Sequence, residues 1–117
     1  MTEAELKART KQFGLKGMQV VDMLPNTTAG RAIGGQLVRS STSVGSNYRA
    51  ACRGRSKAEF IAKIGVVTEE ADESAFWLEL IMEGNLLQSE FVAALHREAE
   101  ELTAIFTASG RTAKQNG

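Results

Sequence analysis

The chain has one cysteine and one proline in 117 residues, a single histidine, and no apolar run long enough to cross a membrane. Each scarcity removes a class of protein. Cys52 alone cannot form an intrachain disulfide, which points to a reducing compartment. Pro25 alone suits long uninterrupted helices rather than a many-stranded sheet with its turns, so the chain reads as all-α. No apolar stretch approaches the roughly 20 residues of a membrane span, and none follows the early lysines as a leader would. The expectation is a cytoplasmic protein with no membrane partner.

A second absence concerns charge. The sums cancel, 14 basic against 14 acidic residues, but from Met23 to Ala58 there is no acid at all. That stretch carries Arg31, Arg39, Arg49, Arg53, Arg55 and Lys57. From Glu59 to Glu90 the only base is Lys63, against Glu59, Glu69, Glu70, Asp72, Glu73, Glu79, Glu83 and Glu90. The segment Arg49–Leu80 therefore joins a basic, small-residue helix to an acidic, apolar one.

What is present is helical periodicity in four blocks, which predicts one domain over residues 1–117. A first amphipathic helix spans about 3–24, with Leu6, Phe13, Gly17, Val20, Val21 and Leu24 on one side. Pro25 stops it, and Asn26-Thr27-Thr28 offers capping side chains. A second helix, about 29–52, sets Ile33, Leu37, Val44, Tyr48 and Ala51 against Arg31, Arg39, Arg49 and Arg53, which share an arc of about 80° on the far side. Its many small residues predict close packing on more than one side and the most central place in the bundle. The alternative is a break at Ser40–Ser46.

Gly54 suits a left-handed cap, and Ser56-Lys57-Ala58-Glu59 reads as a capping box opening a third helix over about 57–83. Phe60, Ile64, Val67, Ala71, Ala75, Leu78 and Met82 form its core stripe. Ala62, Val66, Phe76, Trp77 and Leu80 sit on its flanks and back among glutamates, the composition of an association surface. Gly84-Asn85 ends it. A fourth helix, about 89–107, carries Phe91, Leu95, Ala99, Leu102, Ile105 and Phe106, and residues 108–117 read as a fraying tail. Four helices with short turns predict an antiparallel up-down-up-down four-helix bundle.

The chemistry is mostly a matter of exclusion. A di-iron bundle needs Glu-x-x-His on two helices, and here Ala93 stands three residues before the lone His96, so neither metal nor cofactor is expected. The run Glu69-Glu70-Ala71-Asp72-Glu73 reads as a solvated or interface face. His96 lacks companions for acid–base work, and no serine or cysteine has a base and an orienting acid in view. Cys52, between Arg49 and Arg53, is a candidate for a lowered pKa, or else a small residue where helices meet. Gly30–Gln36 lacks the lysine and hydroxyl of a phosphate loop. No catalytic residue and no small-molecule substrate emerge.

Two readings of the charged faces stay open. The bases Arg31, Arg39, Arg49, Arg53, Arg55 and Lys57 match a surface for RNA or DNA backbone. Alternatively, they meet the acidic back of the third helix, within a subunit or between subunits. In that case Val66, Phe76, Trp77, Leu80, Glu69, Glu70 and Glu73 form an oligomer interface.

Four segments carry a resemblance: Gln36-Leu37-Val38-Arg39-Ser40, Ser43-Val44-Gly45-Ser46-Asn47-Tyr48-Arg49-Ala50-Ala51, Arg55-Ser56-Lys57-Ala58-Glu59-Phe60 and Glu69-Glu70-Ala71-Asp72-Glu73-Ser74. In order and spacing the chain resembles, over roughly residues 10–108, the bacterial four-helix bundle proteins related to the protein encoded in 23S ribosomal RNA intervening sequences. The resemblance implies a left-handed antiparallel bundle, assembly into a homopentamer around a channel, and no established enzymatic activity. A related branch comprises accessory proteins of diversity-generating retroelements, basic pentamers that bind nucleic acid and a reverse transcriptase. Many members read Ile-Pro-x-Asn-Ile-Ala-Glu-Gly where this chain has Val44 to Ala51, so Gly45 replaces the proline and Ala50 the glutamate.

Overall fold

Every helix begins at a hydroxyl. Thr2, Thr27, Ser56 and Ser89 each accept a backbone N–H from two or three residues on, those of Glu5, Gly30, Glu59 and Phe91. Each satisfies a donor that the first helical turn leaves without a partner. The computed structural model describes residues 1–116. The helices are α1 (Glu3–Met23), α2 (Thr28–Cys52), α3 (Lys57–Glu83) and α4 (Glu90–Gln115).

The turns differ from the sequence reading in detail. At the start of α3, Ser56 caps Glu59, but the Glu59 carboxylate accepts from Arg55 N at 2.7 Å, one residue before the donor of a reciprocal box. Gly54 is not left-handed; among the described residues the positive-φ position is Asn85, at 57°, in the α3–α4 turn. Asparagine tolerates that region better than most side chains. Gly30 is needed for room, because a Cβ there would overlap the Pro25 carbonyl that folds back over the helix start.

The serine- and glycine-rich stretch 40–46 stays helical. The hydroxyls of Thr42 and Ser43 donate to the carbonyls of Val38 and Arg39, at 2.6 and 2.7 Å, turning their polarity back into the helix. At the other end of the chain, α4 runs on to Gln115 where a fraying tail from 108 was expected. Gly110 lies against Ile64 of α3, and Ala113 is half-buried, so the last turns have a packing surface that residue types alone do not reveal.

Contacts between helices run in opposite directions. Gly45 faces Thr10 while Gly34 faces Val21 and Leu24, so α1 and α2 are antiparallel. Ser40 meets Ser74 across α2–α3, and Ile64 meets Gly110 while Glu79 meets His96 across α3–α4. Each helix packs on two neighbours; the diagonal pairs α1/α3 and α2/α4 do not pack as helices, and the α1–α4 seam is the sparsest. Thus α2 occupies a corner like the others, which corrects the expectation of a central helix. Its small residues serve both of its seams: Ser40 meets Ser74 of α3, and Gly17 of α1 sits so near Ser41 that a Cβ would overlap the Ser41 hydroxyl.

The core is one cluster, with Phe13, Val20, Leu37, Val44, Ile64, Val67, Leu78, Leu102 and Phe106 almost fully removed from solvent. Tyr48 of α2 reaches across it to Phe106 of α4, ring centroids 5.2 Å apart. Ile81 and Val92 are fully buried, whereas Phe60, Met82, Phe91 and Ile105, which the stripes had placed inside, are half-buried at the rim. Buried Thr10 and Ser74 go unnoticed in an apolar pattern because their hydroxyls bond their own helices, to Leu6 O and Glu70 O, each at 2.8 Å.

Candidate functional site

The basic and acidic faces meet first within one chain. Arg39 of α2 reaches Glu70 at 3.2 Å and Glu73 at 2.6 Å on α3. Its guanidinium is held further above its ordinary range, chiefly by the hydrogen bond to Glu73. The flanks of α2 and α3 face one another because their buried sides already touch through Ser40 and Ser74. For this arginine the ion pairs are intramolecular.

The other five bases separate into two places. Arg31 donates to Asn26 Oδ1 at 2.8 Å. Arg53 lies 22 positions further along the chain, about 33 Å at the helical rise. Arg49, Arg53, Arg55 and Lys57 are exposed at the α2–α3 turn, and none has a carboxylate at ion-pair distance among the described residues. The end of α4 returns to this side of the bundle. Arg111 and Lys114 line a groove with Ile61, Gly65 and Thr68 of α3. These two bases were missed because the tail was read as frayed; the available signal was their spacing of three, which sets them on one helical face.

The residues expected at an oligomer interface are also sorted by the fold. Trp77 packs against the core and donates from Nε1 to Glu73 Oε1 at 3.4 Å, so Glu70, Glu73 and Trp77 are all engaged within the chain. Val66 and Leu80 are half-buried. Glu69 is exposed, and Phe76 stands 50% exposed with its ring edge-on to Trp77, centroids 5.2 Å apart.

One surface was not legible in the residues. Between α1 and α2 lies an open groove of about 260 Å³ with Gly14 and Gly45 at its base, Leu15 and Met18 on one wall, and Lys11 and Arg49 on its border. Leu15 and Met18 are 41% and 47% exposed and lie off the core stripe of α1, which is why no periodicity flagged them.

The remaining reactive groups are kept apart. His96 is largely buried in the α3–α4 seam, with Nε2 3.6 Å from Glu79 and Nδ1 3.5 Å from Glu100. Cys52 is half-buried, and burial pushes its thiol up; the flanking arginines are exposed, so of the two sequence readings the small residue where helices meet fits and the lowered pKa does not. The acidic run on α3 diverges, Glu70 and Glu73 toward α2, Glu69 and Asp72 outward. No group of three histidine, cysteine or carboxylate side chains converges as a metal site among the described residues. No described helix is long and apolar enough to cross a membrane.

Among curated proteins, none matches the chain in sequence. In structure it is similar to a crystallised protein of unknown function from Bacteroides thetaiotaomicron, of the S23 ribosomal protein family. The two superpose with a TM-score of 0.85 at 25% identity, over 95% of this chain and 99% of that one. The 23S rRNA-intervening sequence protein family matches residues 3–108. With nearly the whole bundle inside that match, the chain belongs to the 23S rRNA-intervening sequence protein family.

Proposed function

We propose that the protein is a non-catalytic, homo-oligomeric interaction protein of the cytoplasm, and that it works as a pentamer. The observation that carries this reading is Phe76. A large aromatic ring stands half in water on an acidic helix, held in place by Trp77, which is itself fixed by the core and by Glu73. An exposed aromatic braced in this way suits a surface that another protein covers. Light-scattering mass of the pure protein tests it: a stable mass near five times that of one chain is expected, and a monomer at all concentrations would overturn it.

A second reading, a nucleic-acid-binding accessory protein, draws support from Arg53, Arg55 and Lys57, whose side chains have no carboxylate partner among the described residues, on the side to which Arg111 and Lys114 return. Phosphate contacts of this kind bind without reading sequence and weaken steeply with salt. Binding of a short structured RNA across a salt series tests it. Replacing Arg53, Arg55 and Lys57 with alanine should then reduce affinity and flatten the salt slope without altering mass.

A further inference from the structure

We propose that the exposed Phe76 face of α3 seats in the α1–α2 groove of a second copy of the same chain, in one repeated head-to-tail contact. The inference rests on the assembly reading above and names the two surfaces that would meet.

Apart from Met1 and Met23, the described residues expose three large apolar side chains: Phe76 on α3, and Leu15 and Met18 on α1. These helices are diagonal in the bundle and do not pack on each other, so the two sites lie on opposite flanks of one molecule. The shapes are unlike. One is a single ring projecting from a helix and packed edge-on against Trp77; the other is a groove of about 260 Å³ whose base is bare at Gly14 and Gly45. A ring that meets another ring in a two-fold contact leaves the groove empty. A ring that enters the groove fills both.

Charge decides between these arrangements. Glu69, Asp72, Glu79 and Glu83 stand seven and four residues before Phe76 and three and seven after it, on the same helical face. Glu69, Asp72 and Glu83 have no cation at ion-pair distance among the described residues. A two-fold pairing of Phe76 faces would bring these acids together, which costs affinity. The groove offers the opposite sign in Lys11 and Arg49, also without carboxylate partners among the described residues. One complementary pair of unlike surfaces, repeated, is the arrangement that closes rings of more than two subunits.

The test uses two full-length variants, Phe76→Glu with the ring removed and Met18→Glu with the groove spoiled. Both positions are exposed, and circular dichroism checks that each variant keeps the parent's helicity. Light scattering should show an oligomer for the parent, a single-chain mass for each variant alone, and a dimer for their equimolar mixture. In that mixture one intact groove meets one intact ring, and the assembly can grow no further. A monomeric parent overturns the assembly reading and this inference together. An oligomeric parent with variants of unchanged mass overturns the inference alone, as do monomeric variants whose mixture stays monomeric.

Discussion

Ser40 of α2 and Ser74 of α3 face each other hydroxyl to hydroxyl at 2.9 Å, both fully shielded from water. Each also lies near a carbonyl of its own helix, Leu37 O at 3.3 Å and Glu70 O at 2.8 Å. Removing one hydroxyl leaves the other with a poorer set of partners, and removing both leaves nothing unpaired. Ser74→Ala is expected to cost about 1 kcal/mol, and the double variant with Ser40→Ala less than the sum of the two singles. Urea unfolding of the four proteins of that cycle measures the difference.

Ser41, one residue on, is the opposite case. Its hydroxyl is buried against Gly17 with no hydrogen-bond partner among the described residues. Ser41→Ala should therefore hold or raise stability, by up to about 1 kcal/mol, because an unsatisfied buried group is lost. Gly17→Ala should lower it by about 1–3 kcal/mol, since the added methyl forces α1 and α2 apart. If both substitutions weaken the fold equally in urea, the seam is not as close as described.

Arg9 ties the sparse α1–α4 seam. Its guanidinium meets Glu98 through two hydrogen bonds of 2.7 Å and Glu101 at 2.9 Å, which raises its pKa further above the ordinary range. All three side chains keep some exposure, so screening limits the effect. Arg9→Ala is expected to cost about 1 kcal/mol, and Arg9→Lys to recover little of it, because lysine cannot make the two-pronged contact. Denaturation midpoints of the two variants separate lost charge from lost geometry.

Arg39 pairs with Glu70 and Glu73 inside its own chain. Arg39→Ala should have the same light-scattering mass as the parent protein. A fall in mass would place this arginine between subunits.

Cys52 should react slowly. Its thiol is half-buried and its pKa is raised by that burial, so the thiolate that attacks alkylating agents is scarce at neutral pH and becomes available only as pH rises. Alkylation by iodoacetamide at neutral pH is expected to lag behind a free cysteine and to accelerate on urea unfolding. Rapid labelling of the native protein would contradict the burial.

Local features were legible wherever one helix suffices to decide them. Ser56 was readable as the cap of α3, because a hydroxyl ahead of an apolar period has one local use. The apolar spacing of Leu37, Val44, Tyr48 and Ala51 located the buried face of α2 to within a residue or so. Val92 and Ile81 were missed because neighbouring apolar residues on a helix differ by only about 100° in direction, and packing on two neighbours chooses which one goes inside.

An all-α chain of four long helices with a basic second and an acidic third follows from the residue order, since periodicity, caps and composition are properties of contiguous residues. Which charges are paired among the described residues is settled by how the helices pack. Arg39 is met by Glu70 and Glu73 while Arg49 and Arg53 are not. Arg111 and Lys114 return to the end that holds Lys57, and Leu15 and Met18 border a groove floored by a glycine from another helix. Each of these depends on the rotation and separation of one helix relative to the next, which is set where two surfaces pack and appears in neither surface alone.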